Sequence, residues 1–156
     1  KINAIIPNCA ISQDMITGFP TETEQDHQDT LKLMDYVKYS FGYMYSYSER
    51  PGTLAGRKME DDVPEETKAR RLQEIVDLQQ AHARYRTEQY IGQTVEVLVE
   101  KVSKKSPNEF SGRNSQSITV VFPKENYKIG DFVNVLVERT TGTTLIGKAI
   151  GLSEMN

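Results

Sequence analysis

The rhythm of the chain changes at Ile91-Gly92, and that change constrains the fold more than any other feature. Beyond it, Thr94–Val102 alternates cleanly, with Val95, Val97 and Val99 on one face and Glu96, Leu98 and Glu100 on the other. Segments 109–113, 117–122, 131–139 and 143–150 follow, each bounded by Gly, Pro, Asn or Ser. Five short strands in about sixty residues, with no helical period among them, predict a small antiparallel β-barrel over 91–152, similar to oligonucleotide-binding folds. Small barrels of this kind with basic residues on their loops often bind RNA.

Before the change, strands and helices alternate. Residues 10–16 read as a buried strand stopped by Gly18-Phe19-Pro20. Thr21 with Glu24 three residues on fits a capping box for a helix over 22–38, with Leu31, Met34 and Val37 sharing its apolar face. A second strand spans 41–46, with Phe41, Tyr43 and Tyr45 at period two, and Ser48-Glu49-Arg50-Pro51-Gly52-Thr53 reads as a turn. A longer helix starts near Pro64, backed by Glu65 and Glu66 at the positive end of its dipole. It runs to about Tyr90, burying Leu72, Ile75, Val76, Gln79 and Ala83. Strand, helix, strand, helix is the βα pattern of a parallel sheet. Two such units are a poor fold alone, because parallel strands need cover on both faces and neighbours at both edges. Residues 1–90 therefore read as the end of a larger α/β domain, and the chain, which begins with Lys1, as a piece of a longer protein.

Composition narrows the function classes. No run approaches 18 apolar residues, so no membrane-spanning helix is expected. A single cysteine, Cys9, excludes a disulfide framework and any multi-cysteine metal or cluster site within this chain, so no metal ligand is assigned. With no signal peptide in view, a cytoplasmic setting is expected. The net charge of −3 gives no general attraction to a polyanion. Its distribution is uneven, however. Residues 1–90 carry eleven Lys/Arg against fifteen Asp/Glu, and residues 91–151 carry eight against six. The second half is the better candidate to meet nucleic acid.

Two motifs and a module then carry a family resemblance. Asp14-Met15-Ile16-Thr17-Gly18-Phe19-Pro20-Thr21-Glu22-Thr23 resembles the fifth-strand motif of the radical S-adenosylmethionine methylthiotransferases, and Tyr47-Ser48-Glu49-Arg50-Pro51-Gly52-Thr53 resembles their sixth-strand motif. Val63-Pro64-Glu65-Glu66, Arg71-Leu72 and Leu78-Gln79 match the helix that leaves the barrel, and the five-strand module with Ser111-Gly112-Arg113 is similar to the TRAM domain. The resemblance covers nearly the whole chain. Arg50-Pro51 favours the branch that acts on tRNA over the one that acts on a ribosomal protein. It implies addition of a methylthio group to C2 of isopentenyladenosine beside the anticodon; a branch acting on threonylcarbamoyl-adenosine shares part of the motif and stays open. The family implies two 4Fe–4S clusters, one on a CxxxCxxC triad. Cys9 fits neither ligand set, so both must lie upstream of Lys1 or be absent. One S-adenosylmethionine molecule would supply the methyl carried on sulfur. Another would be cleaved to a 5′-deoxyadenosyl radical that takes hydrogen from the adenine ring. The fragment alone is expected to be inactive, with no catalytic residue of its own, and the parent to need an electron donor and a sulfur source.

The resemblance implies that Asp14, Ile16, Gly18, Phe19, Glu22, Tyr47 and Arg50 line the cofactor pocket. Each also has a plainer reading. Ile16 offers an apolar face to an adenine and Gly18 lets backbone approach it, but Gly-Phe-Pro also suffices as a turn. Glu22 is stabilised at a helix start by exposed N–H groups. Asp14 within an apolar strand is costly unless partnered, which points it to the barrel mouth. Arg50 either grips a carboxylate or phosphate or pairs with Glu49 or Glu22. Most of Tyr43, Tyr45 and Tyr47 are expected as core packing. In the second half Lys101, Lys104 and Lys105 cluster on one loop and Arg113 lies on the next. With Asn114 and Gln116 they form the expected grip on a tRNA anticodon stem-loop. His27 and His82 fall on expected helix surfaces as bystanders, and Cys9 reads as a small buried hydrophobe. Two competing expectations are a non-catalytic RNA-binding module with a vestigial α/β arm, and a half-barrel that dimerises through its exposed strands.

Overall fold

In the computed structural model, which describes residues 1–154, the alternating segments after Ile91 do form a barrel. Its strands are β3 (Thr94–Val102), β4 (Glu109–Arg113), β5 (Thr119–Pro123), β6 (Phe132–Thr140) and β7 (Thr144–Leu152), closed in the order β3-β4-β5-β7-β6. Four neighbouring pairs are antiparallel, but β5 and β7 run parallel, with Thr119 beside Thr144 and Val121 beside Ile146. The barrel is therefore mixed, not antiparallel as expected. Parity is the reason: strand direction cannot alternate consistently around a closed ring with an odd number of strands, so one pair must run parallel.

Inside the barrel, period two delivers Val95, Val97 and Val99 from β3, Val133, Val135 and Val137 from β6, and Phe110, Val120, Phe122 and Leu145 from the others. Burying each of these side chains stabilises the barrel by about 1.5–3 kcal/mol relative to exposure. The closing strands approach tightly at two glycines. A Cβ on Gly112 would lie 2.1 Å from the Leu98 carbonyl oxygen, and one on Gly147 would lie 2.0 Å from that of Leu136. This unit also takes in residues 1–10, with the short helix α1 (Ile2–Ile5), and the end of the long helix. Cys9 is half-buried there, not enclosed as expected.

Residues 11–82 form a second unit. It contains β1 (Ser12–Thr17), α2 (Glu24–Val37), β2 (Phe41–Ser46), α3 (Leu54–Lys58) and most of α4 (Glu65–Glu88). β1 and β2 pair in parallel, from Ser12 beside Phe41 to Thr17 beside Ser46. The capping box of α2 sits two residues later than Thr21 and Glu24 imply. The Thr23 hydroxyl accepts from the Asp26 N–H, and the Asp26 carboxylate accepts from the Thr23 N–H at 2.9 Å. The Thr23 hydroxyl, which donates to Asp26 Oδ2 at 2.6 Å, and then the Thr23 N–H hold the Asp26 carboxyl below its ordinary range. Thr21 instead takes φ +71, with its N–H donated to Asp62 Oδ1 at 2.7 Å.

Helix faces are more polar inside than their apolar period suggests. Met34 and Ile75 are buried, but so are His27, Lys68, Arg71, Gln79 and His82. The two histidines are therefore not surface bystanders. His27 lies two turns before Met34 and His82 two turns after Ile75, which puts each on its helix's inner stripe. Each is matched by a carboxylate: His27 Nε2 lies 2.7 Å from Glu74 Oε2 and His82 Nε2 lies 3.2 Å from Asp35 Oδ1.

Candidate functional site

The sheet of residues 11–82 has two unlike faces, because strand side chains alternate. Gln13, Met15 and Thr17 of β1, with Gly42 and Met44 of β2, are half-buried or buried. Gln13 Nε2 donates to Gln79 Oε1 of α4 at 3.1 Å, which marks this as the helix-covered face. The opposite face carries Ser12, Asp14 and Ile16 beside Phe41, Tyr43 and Tyr45, all exposed. Asp14 sits opposite Tyr43 and Ile16 opposite Tyr45. Ile16, Tyr43 and Tyr45 are each more than half exposed, at 57%, 61% and 58%. The tyrosines expected as core thus stand on an open aromatic face with two of the candidate site residues among them. Asp14 avoids the cost of burial by being solvated here.

At the carboxyl ends of β1 and β2 the remaining candidates meet. The Phe19 and Tyr47 rings touch edge to face, with centroids 5.1 Å apart. The Lys68 ammonium lies 5.7 Å from the Tyr47 ring centre. Lys68 is 1% exposed, and its charge is met by Asp61 Oδ2 at 2.6 Å and Glu65 Oε1 at 2.7 Å. These bonds, from Asp61 first, hold the ammonium above its ordinary pKa. Sequence reasoning missed Lys68; its only signal was the i, i+7 spacing to Ile75 on α4.

Gly18 is buried, with φ +73, and a Cβ there would fall 2.4 Å from Lys68 Cγ. The requirement for glycine thus comes from backbone conformation and the Lys68 stem. Glu22 is committed locally: Oε2 accepts from the Gly18 N–H at 2.9 Å, and Oε1 accepts from Thr17 Oγ1 and from Arg71 Nη1 at 2.8 Å. It fixes the β1–α2 turn. Arg71 and Arg70 extend the network to Glu24, whose carboxyl is pulled down to about 2, first by the Arg70 hydrogen bond and then by Gln28. Arg50 pairs with neither Glu49 nor Glu22; among the described residues its exposed guanidinium has no polar partner, while its carbonyl accepts from Thr53 Oγ1.

The barrel unit separates residues that the sequence places in one patch. Lys101 is not on a loop as expected but near the end of β3, paired with Ser111; Lys104 and Lys105 lie on the turn that joins β3 to the Glu109 end of β4, and all three lysines are exposed. Lys124 belongs with them, because its N–H donates to the Asn108 carbonyl at 2.7 Å and its ammonium lies 5.2 Å from the Phe110 ring centre. It was missed because it is twenty residues away in sequence. Arg113 stands at the other end of β4, 3.7 Å from Glu100 Oε2. Asn114 is buried and builds the following turn: its Oδ1 accepts from the Gln116 N–H at 3.1 Å and the Ile118 N–H at 2.9 Å. Asn114, Ser115 and Gln116 line a cleft of about 250 Å3 with Asn8, Tyr90, Gln93, Thr94, Val95 and Glu96. Burial pushes the Tyr90 phenol up, against a hydrogen bond from Asn114 that pulls it down.

Among the described residues no cluster of three His, Cys, Asp or Glu is placed to hold a metal ion, and no helix is long and apolar enough to cross a membrane. With one cysteine, the chain offers no ligand set for an iron–sulfur cluster.

Comparison with known proteins accords with this division. Residues 88–150 match the TRAM domain. Over all 156 residues the chain is 79% identical to the tRNA-2-methylthio-N(6)-dimethylallyladenosine synthase of Flavobacterium johnsoniae and 66% identical to that of Christiangramia forsetii, covering 32% of each. Over 149 residues, 96% of this chain, it is 46% identical to the synthase of the same name from Bacteroides thetaiotaomicron, covering 33% of that protein. The chain spans about a third of the length of the curated relatives it matches. Along its whole length the chain is thus similar to synthases of this one name, with the TRAM match confined to its second half.

Proposed function

We propose that the chain is the carboxy-terminal third of a tRNA methylthiotransferase that modifies C2 of isopentenyladenosine next to the anticodon. The observation that carries this is the helix-free face of β1 and β2. There Asp14 and Ile16 of one family motif stand exposed among Phe41, Tyr43 and Tyr45, as the inner wall of an α/β barrel would. S-adenosylmethionine, when bound, supplies the methyl group and the radical chemistry; the clusters, their reductant and the sulfur source act on the rest of the parent protein. The residues of this chain bind and orient. Ile16 offers apolar surface to the adenine. Asp14 accepts hydrogen bonds at the wall, and Arg50, unpaired and exposed, meets the carboxylate of the cofactor. Phe19 and Tyr47 form an aromatic corner of the pocket. Glu22 and Gly18 keep that corner in place, through the Gly18 N–H and the turn it closes. The barrel grips tRNA phosphates with Lys101, Lys104, Lys105 and Arg113, to which Lys124 is added here.

The test uses the full-length parent with its clusters in place. Ile16→Ala and Arg50→Ala weaken S-adenosylmethionine binding by about tenfold, the loss of one good contact each, and leave tRNA affinity unchanged. Lys101→Ala, Lys104→Ala and Lys105→Ala combined weaken tRNA binding and make it less salt-dependent, with cofactor affinity unchanged. Wild-type cofactor affinity in Ile16→Ala and Arg50→Ala would remove the pocket assignment.

A further inference from the structure

Lys68 of α4 touches both motif turns. Its stem lies against Gly18, where an added Cβ would fall 2.4 Å from Lys68 Cγ. Its ammonium stands over the Tyr47 ring, 5.7 Å from the centre, and that ring meets Phe19 edge to face at 5.1 Å. Gly18 and Phe19 belong to one motif and Tyr47 to the other. The backbone ties the two turns once more, through the Tyr47 N–H donated to the Thr17 carbonyl at 2.8 Å. Exposure falls along the row: Phe19 is exposed, Tyr47 half-buried and Lys68 buried. The outer ring has no core around it, so its orientation depends on the ring beneath it, and that ring on the cation.

Packing alone does not require the cation. A methionine would fill the space beside Gly18 without taking a charge out of water, and apolar replacements of buried ion pairs are often neutral or stabilising. Its partners do not require it either. The side chains of Asp61 and Glu65 remain 28% and 85% exposed, so water reaches both carboxylates. An ammonium has three donors. Two are spent on Asp61 and Glu65, and among the described residues no third acceptor is in reach. What remains for the third is the face of the Tyr47 ring, which attracts a desolvated cation.

We propose that Lys68 is a positioning residue for cofactor binding: its ammonium, clamped by Asp61 and Glu65, holds the Tyr47 ring, and through it Phe19, in the orientation that receives S-adenosylmethionine. The inference rests on the cofactor-pocket reading above and deepens it. It extends the site to Asp61, between α3 and α4, and to the first turn of α4, which neither motif contains.

The experiment measures S-adenosylmethionine affinity by equilibrium dialysis, using the full-length parent with its clusters in place and no reductant. Lys68→Met keeps the stem against Gly18 and removes the cation. It is expected to weaken binding by about tenfold, as the loss of a desolvated cation–ring contact implies. The same loss is expected in a Tyr47→Phe background, which keeps the ring, and no further loss in a Tyr47→Leu background, which lacks it. A side chain that merely braced the fold would cost the same in both backgrounds, so the difference between them separates positioning from bracing. Asp61→Asn loosens the clamp and leaves the cation. It is expected to show a smaller loss with the same dependence on the ring, and it carries the test if Lys68→Met does not fold. Wild-type affinity in Lys68→Met, or equal losses in the two backgrounds, overturns the positioning role while Tyr47→Leu alone still weakens binding. If Tyr47→Leu binds the cofactor as tightly as wild type, the pocket reading falls and the role of Lys68 with it.

Discussion

Replacing Gly18 by alanine tests whether the corner of the candidate pocket is held as described. Two costs act at that position. The residue has φ +73, where an L side chain costs about 1–2 kcal/mol. In addition, the new Cβ would sit 2.4 Å from Lys68 Cγ and 3.2 Å from Lys68 Cβ and Cδ. The Lys68 stem cannot swing away, because the side chain is buried and its ammonium is tied to both Asp61 and Glu65. Overpacking of that kind costs about 1–3 kcal/mol more. Gly52 supplies the control within the same unit: its φ is +86, and nothing lies within 4 Å of a Cβ built there. Gly52→Ala should therefore show the conformational cost alone, about 1–2 kcal/mol. Urea unfolding followed by far-ultraviolet circular dichroism, with tyrosine fluorescence as the second probe, should rank Gly18→Ala as the less stable by about 1–3 kcal/mol. Equal midpoints for the two variants would refute the packing argument and return Gly18 to the role of a simple turn residue.

Other perturbations follow from the same geometry. Gly112→Ala should disrupt the barrel by about 3 kcal/mol or more, because the clash at 2.1 Å is with the Leu98 carbonyl oxygen, which the ladder holds in place; thermal unfolding reads it. Thr23→Ala removes the α2 cap and should cost about 1 kcal/mol, measured by urea unfolding. Acid should weaken the unit of residues 11–82. Its Glu24 carboxyl is depressed from 4.5 to about 2, so the stability it contributes is present above pH 4.5 and fades as pH falls toward 2; Glu24→Gln should flatten a circular dichroism titration across that window. Finally, the exposed face with Ile16, Phe41, Tyr43 and Tyr45 should drive self-association of this chain, detected by light scattering as a mass that rises with concentration, and Tyr43→Lys should suppress it.

Period and punctuation made most of the elements legible in the sequence. The register of Val95, Val97 and Val99 on the inner face of β3, and the limits of β2, follow directly from alternation. What escaped depends on distant partners. The position of α2's cap was settled by which hydroxyl meets Asp26, and two overlapping candidates, Thr21 and Thr23, are both plausible from spacing. The inner polar residues His27, Lys68, Arg71 and His82 were hidden because their type says surface, although their spacing to Met34 and Ile75 says core. Each is buried with a carboxylate that no local pattern reveals. Lys124 joined the lysine loop only through a backbone bond to Asn108.

The candidate site follows the same division, and the division has a physical cause. A motif residue that points to open space, such as Ile16 or Arg50, has nothing in its own chain to explain it, which is why its place in the motif remains its best argument. A motif residue that points inward acquires a sufficient local explanation once its neighbours are known. Glu22 holds the Gly18 N–H and Arg71, and Gly18 makes room for Lys68. These inward residues act on a ligand only through the position of the outward ones. Substituting them should therefore change stability and binding together. Substituting Ile16, Arg50 or the loop lysines should change binding while leaving the unfolding midpoint within about 0.5 kcal/mol of wild type, the ordinary range for exposed positions. A midpoint shift in Arg50→Ala as large as that in Gly18→Ala would show that the outward residues also brace the fold, and the separation of wall from support would have to be abandoned.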